Sequence, residues 1–358
     1  MQSGQQKKPD FSYIKNLTQV FLDGELGGTP FEGSRLNVTA PYLLNFLTWL
    51  KSPSAVSAKS VAMQPQQVIA HIAHGSFSNE KQLDRLLGLL NRLQFVIELE
   101  AKLGSNVLNL KDIASSIVSR FEKEKEVFMP GGWVNDSGGH QMIYRLKEGS
   151  DGKVIFQALN SGAGIEYHGM EVRPSGKPVY YPVFAFKFDL TGQREELAEW
   201  LAQLLKPLTA LDKTCTAEKL YEQIIYSGIP WLRGKIIPGK DLASPILGQR
   251  DGTCVYKAMM LMVREHFNGE KSAYRQFVLA YRLYLLNEAV NPELSTAEKQ
   301  FPGYVKILKA SLANTVRMLD SNIKGTKVTL EKEIHDQVLN LFENLHVVLK
   351  GVSGNKNN

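Results

Sequence analysis

Cysteine is nearly absent from this chain, which has two, Cys215 and Cys254, in 358 residues. Two isolated thiols exclude a disulfide framework and point to a reducing compartment, read as cytoplasmic. Neither has a second Cys or a His at ligand spacing, so structural zinc is excluded, and no cofactor is expected. The one P-loop-like spacing, Gly234 to Asp241, ends in Asp241 where magnesium needs a Ser or Thr, and no buried strand precedes it. Long apolar runs are missing too. Nothing approaches the roughly 20 residues that span a bilayer. The first ten residues hold Lys7 and Lys8 with no apolar stretch behind them, which is not the pattern of a secretory signal. Export by a route that reads other addresses stays open. Basic blocks interleaved with aromatics are also absent: the net charge of +6 is spread among acidic residues. Nucleic acid is therefore not an expected partner. No internal repeat is visible.

What is present is a packed-protein composition, 43% hydrophobic and 22% charged, which excludes a disordered chain. Helical spacing dominates both ends. Leu43, Leu44, Phe46, Leu47 and Leu50 form one band, and Pro65 suits the first turn of a helix through His74. Asn79 caps the longest pattern, in which Leu83, Leu86, Leu87, Leu90 and Leu93 line a face as far as a stop at Gly104. His71 and His74 share a helix without the Glu of a zinc-protease motif, and read as ordinary helix residues.

The pattern changes at Met129. Pro130 to Trp133 reads as a turn, and Asn135 to Gly139 as a loop. His140 opens a strand through Tyr144, Asp151-Gly152 marks a hairpin, and Val154–Leu159 is its second arm. Ile165 to Val172 and Val179 to Leu190 read as two further strands. Helical spacing returns over 195–205 and 217–226. An irregular stretch, 227–250, precedes helices over 254–267, 272–287, 304–323 and 330–349.

Chemistry gathers at a few points. Cys254 begins a helix after the Gly252 turn, where the positive end of the helix dipole favours thiolate. Gln249 lies just upstream, where its amide can join the Cys254 N–H in holding an oxyanion. A thiol nucleophile needs a base and a group that orients the base. The hairpin brings the start of one strand beside the end of the next, which puts His140 and Asn160 at one sheet edge. Asp136 and Asp151 are alternative orienters, and His168 is a second candidate base on the following strand. Trp133 reads equally as a substrate wall or a core aromatic. Cys215 also begins a helix, but without a nearby Gln or Gly.

Gly139-His140-Gln141-Met142-Ile143-Tyr144 and Leu159-Asn160-Ser161-Gly162 resemble the His and Asn-Ser strands of papain-like cysteine proteases. Gln249…Gly252-Thr253-Cys254 resembles their oxyanion Gln and nucleophile elbow. The order His, Asn, Gln, Cys is similar to the permuted Ulp/adenain-type branch. That branch includes SUMO proteases, bacterial deubiquitinase effectors and relatives that acetylate.

The resemblance implies an α+β fold: a papain-like core whose small antiparallel sheet packs on the nucleophile helix, a helical N-terminal lobe and extra C-terminal helices. The expected division is a loosely packed segment 1–40, a helical lobe 41–126, the hydrolase core with a helical insertion 127–350, and a disordered tail 351–358. The implied activity is cleavage of a peptide or isopeptide bond through Cys254, His140, Asn160 and Gln249. Trp133, Gly139 and Gly252 would line the substrate, a protein or peptide and by resemblance a ubiquitin-like modifier. An acyltransferase or deamidase would use the same residues, and a non-catalytic helical interaction protein is the reading from another class.

Overall fold

In the computed structural model the residues described below are 36–51, 64–77, 80–104, 109–136, 138–209, 212–247, 254–267, 269–290, 304–320, 330 and 332–354. The chain is α+β. Helices α1 (Leu36–Leu50), α2 (Pro65–Gly75), α3 (Glu80–Leu103) and α4 (Leu110–Glu124) precede strands β1 (Glu126–Asn135), β2 (Gly138–Glu148) and β3 (Val154–Leu159). A 3-10 turn, Ile165–His168, leads to β4 (Met170–Val172), β5 (Pro178–Tyr180) and β6 (Val183–Phe188). Then come α5 (Arg194–Leu205), a π-helix at Lys219–Ile225, α6 (Tyr226–Trp231) and β7 (Lys235–Ile237). Helices α7 (Cys254–Glu265), α8 (Lys271–Val290), α9 (Tyr304–Asp320) and α10 (Lys332–Gly354) complete it. Among the described residues no helix is long and apolar enough to cross a membrane.

The described residues form two compact units, and the division does not follow the linear one expected from the sequence. One unit joins 41–88 with 264–354, and the other is built from 36–40 and 89–263. In the first, Phe46 packs on Phe277, Tyr281 and Tyr284, with ring centroids 5.1–5.5 Å apart. Such contacts make the first helices and the last ones a single core. The helix α10 continues through Ser353 to Gly354, into the expected tail, whose last residues 355–358 lie outside those described.

The second unit carries an antiparallel sheet in the order β1-β2-β3-β6-β7. Alternation sends Met142, Tyr144 and Leu146 of β2, Phe156 and Ala158 of β3, and Phe184, Phe186 and Phe188 of β6 to one face. That face is covered by Ile117 and Phe121 of α4, Leu197, Trp200, Leu201 and Leu204 of α5, and Leu220, Tyr221 and Ile225 of the π-helix. Trp200 stands edge-on to Phe156 and donates its indole N–H to the Ile224 carbonyl at 2.9 Å. Large aromatics therefore meet with their polar atoms satisfied, as burial demands.

Several local expectations are corrected. Pro130 to Trp133 is not a turn but the middle of β1, with Pro130 opposite Ile143 and Trp133 opposite His140. The strand tolerates proline because β1 is a sheet edge, where one N–H needs no partner. The expected strand 165–172 is a 3-10 turn followed by the short β4. Gly164 and Gly169, both at positive φ, bend the chain at each end of the turn. The expected strand 179–190 is divided at Pro182 into β5, in a separate two-stranded sheet, and β6, in the main sheet. The helix expected over 217–226 is the π-helix, and β7 lies within the stretch read as irregular.

Gly132 makes the β1–β2 approach feasible. Its φ is +110°, and a Cβ there would stand 1.9 Å from the His140 carbonyl oxygen. Replacing Gly132 by Ala is expected to lower the unfolding free energy by about 3 kcal/mol, because backbone strain and a backbone clash combine. Urea unfolding of the variant checks this, and a loss below about 1 kcal/mol would contradict the close approach.

Candidate functional site

The sheet edge near the start of β2 gathers the polar side chains that the core excludes elsewhere. His140 is the third residue of β2 and is buried, its ring 5.0 Å from that of Trp133. Asn160 follows β3 directly and is fully buried, and its backbone N–H donates to the Pro182 carbonyl at 2.9 Å. The antiparallel register pairs Ile143 with Leu159, so the strands run on to bring His140 and Asn160 together. His140 Nε2 lies 2.8 Å from Asn160 Oδ1.

The orientation of the amide settles which atom carries the proton. Asn160 Oδ1 accepts the Gly162 N–H at 2.9 Å, and Asn160 Nδ2 donates to the Ala163 carbonyl at 2.8 Å. A flipped amide would face donor to donor and acceptor to acceptor. Oδ1 can only accept, so the neutral His140 ring must donate from Nε2. Its Nδ1 then holds the lone pair, the form a general base needs. Burial lowers the His140 pKa from its ordinary value, while the Asn160 bond and the charge of Glu166 oppose that shift. The ring is neutral near pH 7 as a result.

Behind Asn160 lies a second layer. Asn160 Nδ2 also donates to the Tyr221 hydroxyl at 3.2 Å. That hydroxyl lies 2.6 Å from His168 Nε2 and 3.3 Å from Met142 Sδ. The Tyr221 ring stacks on Tyr167, with centroids 4.8 Å apart and planes 7° apart, and Gly164 clears room for it. Burial drives the Tyr221 pKa far up and pushes that of His168 down to about 3. His168 is therefore no base near neutral pH. It ends a 3-10 turn rather than sitting on a strand.

The other candidate residues fall as follows. Asp136 is exposed in the β1–β2 turn and pairs with Lys213 at 3.4 Å. Asp151 bonds Lys187 at 2.8 Å in the turn at the far end of β2. Eight residues of strand separate His140 from Glu148, roughly 25 Å, so Asp151 cannot orient that ring. Asn160 fills the position instead. Trp133 belongs to the core cluster while also meeting His140. Gly139 is exposed, and a Cβ on it would be 2.8 Å from the Trp133 carbonyl oxygen.

Cys254 is the first residue of α7, is buried, and belongs to the same compact unit as His140 and Asn160. Gln249 and Gly252 lie outside the described residues. Cys215 is fully buried in the sheet core, and burial, with the Asp212 charge second, pushes its thiol up to about 11. It behaves as a small apolar side chain.

Tyr221 has no signature in the sequence. It sits in a helical pattern 61 residues beyond Asn160, on the π-helix, from which its hydroxyl meets the amide. Single π turns of this kind recur at functional sites. Compared with known proteins, the chain matches no protein-family model, and no curated protein matches it.

Proposed function

We propose that the chain is a thiol hydrolase that cleaves a peptide or isopeptide bond through an acyl-enzyme on Cys254. The observation that carries this reading is His140, held by Asn160 with Nε2–H inward and a bare Nδ1. A buried neutral imidazole held in one tautomer by an amide is an arrangement suited to proton transfer. In the proposed sequence Nδ1 takes the thiol proton, and Cys254 attacks the carbonyl. The Cys254 N–H and Gln249 hold the oxyanion. The imidazolium then returns the proton to the leaving amine, and a water activated by the same Nδ1 hydrolyses the thioester. Nε2–H stays on Asn160 throughout, so the positive ring is stabilised without moving.

The reading includes the papain-like arrangement, with α7 as the nucleophile helix against the sheet. It also includes a protein substrate whose C-terminal tail passes Trp133 and Gly139, as a ubiquitin-like Gly-Gly tail would. Such a thiol requires a reducing compartment.

The test is thiol labelling with iodoacetamide at pH 7.5, read by peptide mass spectrometry. Cys254 is expected to react at least about tenfold faster than Cys215, whose raised pKa leaves little thiolate. His140→Ala should erase that preference. Equal, slow labelling of both thiols in the wild-type protein would defeat the proposal. Release of a fluorophore from the C-terminus of ubiquitin or SUMO then separates hydrolysis from transfer.

A further inference from the structure

The hydrogen bonds around Asn160 continue through Tyr221 to a histidine that the proposed chemistry leaves unused. His140 Nε2–H donates to Asn160 Oδ1, and Asn160 Nδ2–H donates to the Tyr221 oxygen at 3.2 Å. The Tyr221 hydroxyl meets His168 Nε2 at 2.6 Å and the Met142 thioether at 3.3 Å. The chain of hydrogen bonds therefore joins His140, Asn160, Tyr221 and His168, four residues from β2, the end of β3, the π-helix and the 3-10 turn.

We infer that Tyr221, braced by His168, is a positioning residue that fixes the tautomer and direction of the His140 ring through Asn160. The inference rests on the proposed role of His140 for its kinetic consequence only, because the tautomer itself is a property of the fold.

The physical reason is saturation. Asn160 Nδ2 has two protons, one on the Ala163 carbonyl and one on Tyr221. Removing the hydroxyl leaves a buried amide N–H without a partner, and only the Gly162 N–H and the Ala163 carbonyl still hold the amide. With one anchor gone Oδ1 is held less firmly on the line of Nε2–H, and His140 exchanges tautomers more readily. Glu166, on the same turn as His168, is the charged group that faces His140, and it favours a proton on the ring rather than either neutral tautomer. His168, uncharged at neutral pH because of its burial, holds the Tyr221 hydroxyl from the far side of Asn160.

The experiment uses full-length protein labelled with [15N]histidine, with ring nitrogens read by long-range proton–nitrogen NMR at pH 7 and His140 assigned from a His140→Gln spectrum. Wild type is expected to show one His140 tautomer, Nε2–H. Tyr221→Phe, which keeps the ring on Tyr167, should show averaged ring-nitrogen shifts, and Cys254 labelling should slow about fivefold to tenfold. His168→Leu should behave the same way, while His168→Gln, which restores a hydrogen-bonding partner for the hydroxyl, should stay within about twofold of wild type. A single Nε2–H tautomer retained in both Tyr221→Phe and His168→Leu would overturn the inference. If wild-type Cys254 labels no faster than Cys215, the hydrolase reading fails, and the NMR comparison still decides the role of Tyr221.

Discussion

Cys254→Ala and His140→Ala are each expected to lower kcat/KM for a peptide-bond substrate by about 10³-fold or more, with the double variant no worse than either single one. Without the sulfur no acyl-enzyme forms. Without the ring the thiol keeps its proton, and the leaving amine departs unprotonated. In the proposed mechanism the two act as one unit, so their losses are not expected to add. Cys215→Ala should leave kcat/KM within about twofold, since its thiol is sealed in the core away from solvent. Asn160→Asp is the sharper probe of how the ring is held. A carboxylate can still accept the His140 N–H, but it sets an oxygen against the Ala163 carbonyl, where Nδ2 donates in the wild type. The variant is expected to lose activity about as Asn160→Ala does, roughly 10- to 100-fold. Activity that survives Cys254→Ala would end the nucleophile assignment, and full activity in Asn160→Asp would show that the amide's donor side does not matter.

Much of the site's lower layer is legible in the sequence because the interactions that build it are local. Asp151-Gly152 marks the β2–β3 hairpin, and Val154–Leu159 stands as a strand with the same bounds in the structure. Once two adjacent strands pair, the neighbours of His140 follow from register alone, and Asn160 is among them. The Gly residues of β1 mislead for a physical reason. Pro130-Gly131-Gly132 has turn composition, yet here glycine serves close packing: a Cβ on Gly131 would meet the Tyr144 ring at 2.7 Å. Contacts distant in sequence leave no comparable trace. The aromatic packing of Phe46 on α8 spans over 200 residues, so the first and last helices read as separate segments. Tyr221 reaches Asn160 from a segment wound with the wider π spacing, which helical periodicity does not distinguish from the α form. The β7 strand is three residues long and bounded by Gly234 and Pro238, too short for an alternation to register.

Between pH 7 and pH 4 the stability of the wild-type chain relative to His168→Gln is expected to fall by roughly 3 kcal/mol. His168 is fully sequestered beside Tyr221, and burial holds its pKa at about 3, while in an unfolded chain the ring titrates near its ordinary 6.5. Across that interval the unfolded state binds about one proton more than the folded state. Stability therefore rises with pH, its contribution is complete above pH 6.5, and it is lost progressively as pH falls toward 3. Carboxylates held low by their partners, such as Asp212 beside Thr214 and Lys219, add to wild type and variant alike and cancel in the difference. His140, a lesser cause of the low His168 pKa, is coupled to it and is read with it. Glutamine is the right replacement because its amide can hydrogen-bond the Tyr221 hydroxyl without titrating, so the pair differs chiefly in the protonation of residue 168. Urea unfolding of both proteins at pH 7, 6, 5 and 4 measures the difference. A gap that stays constant over that range would mean that His168 takes up its proton in the folded state as easily as in the unfolded one.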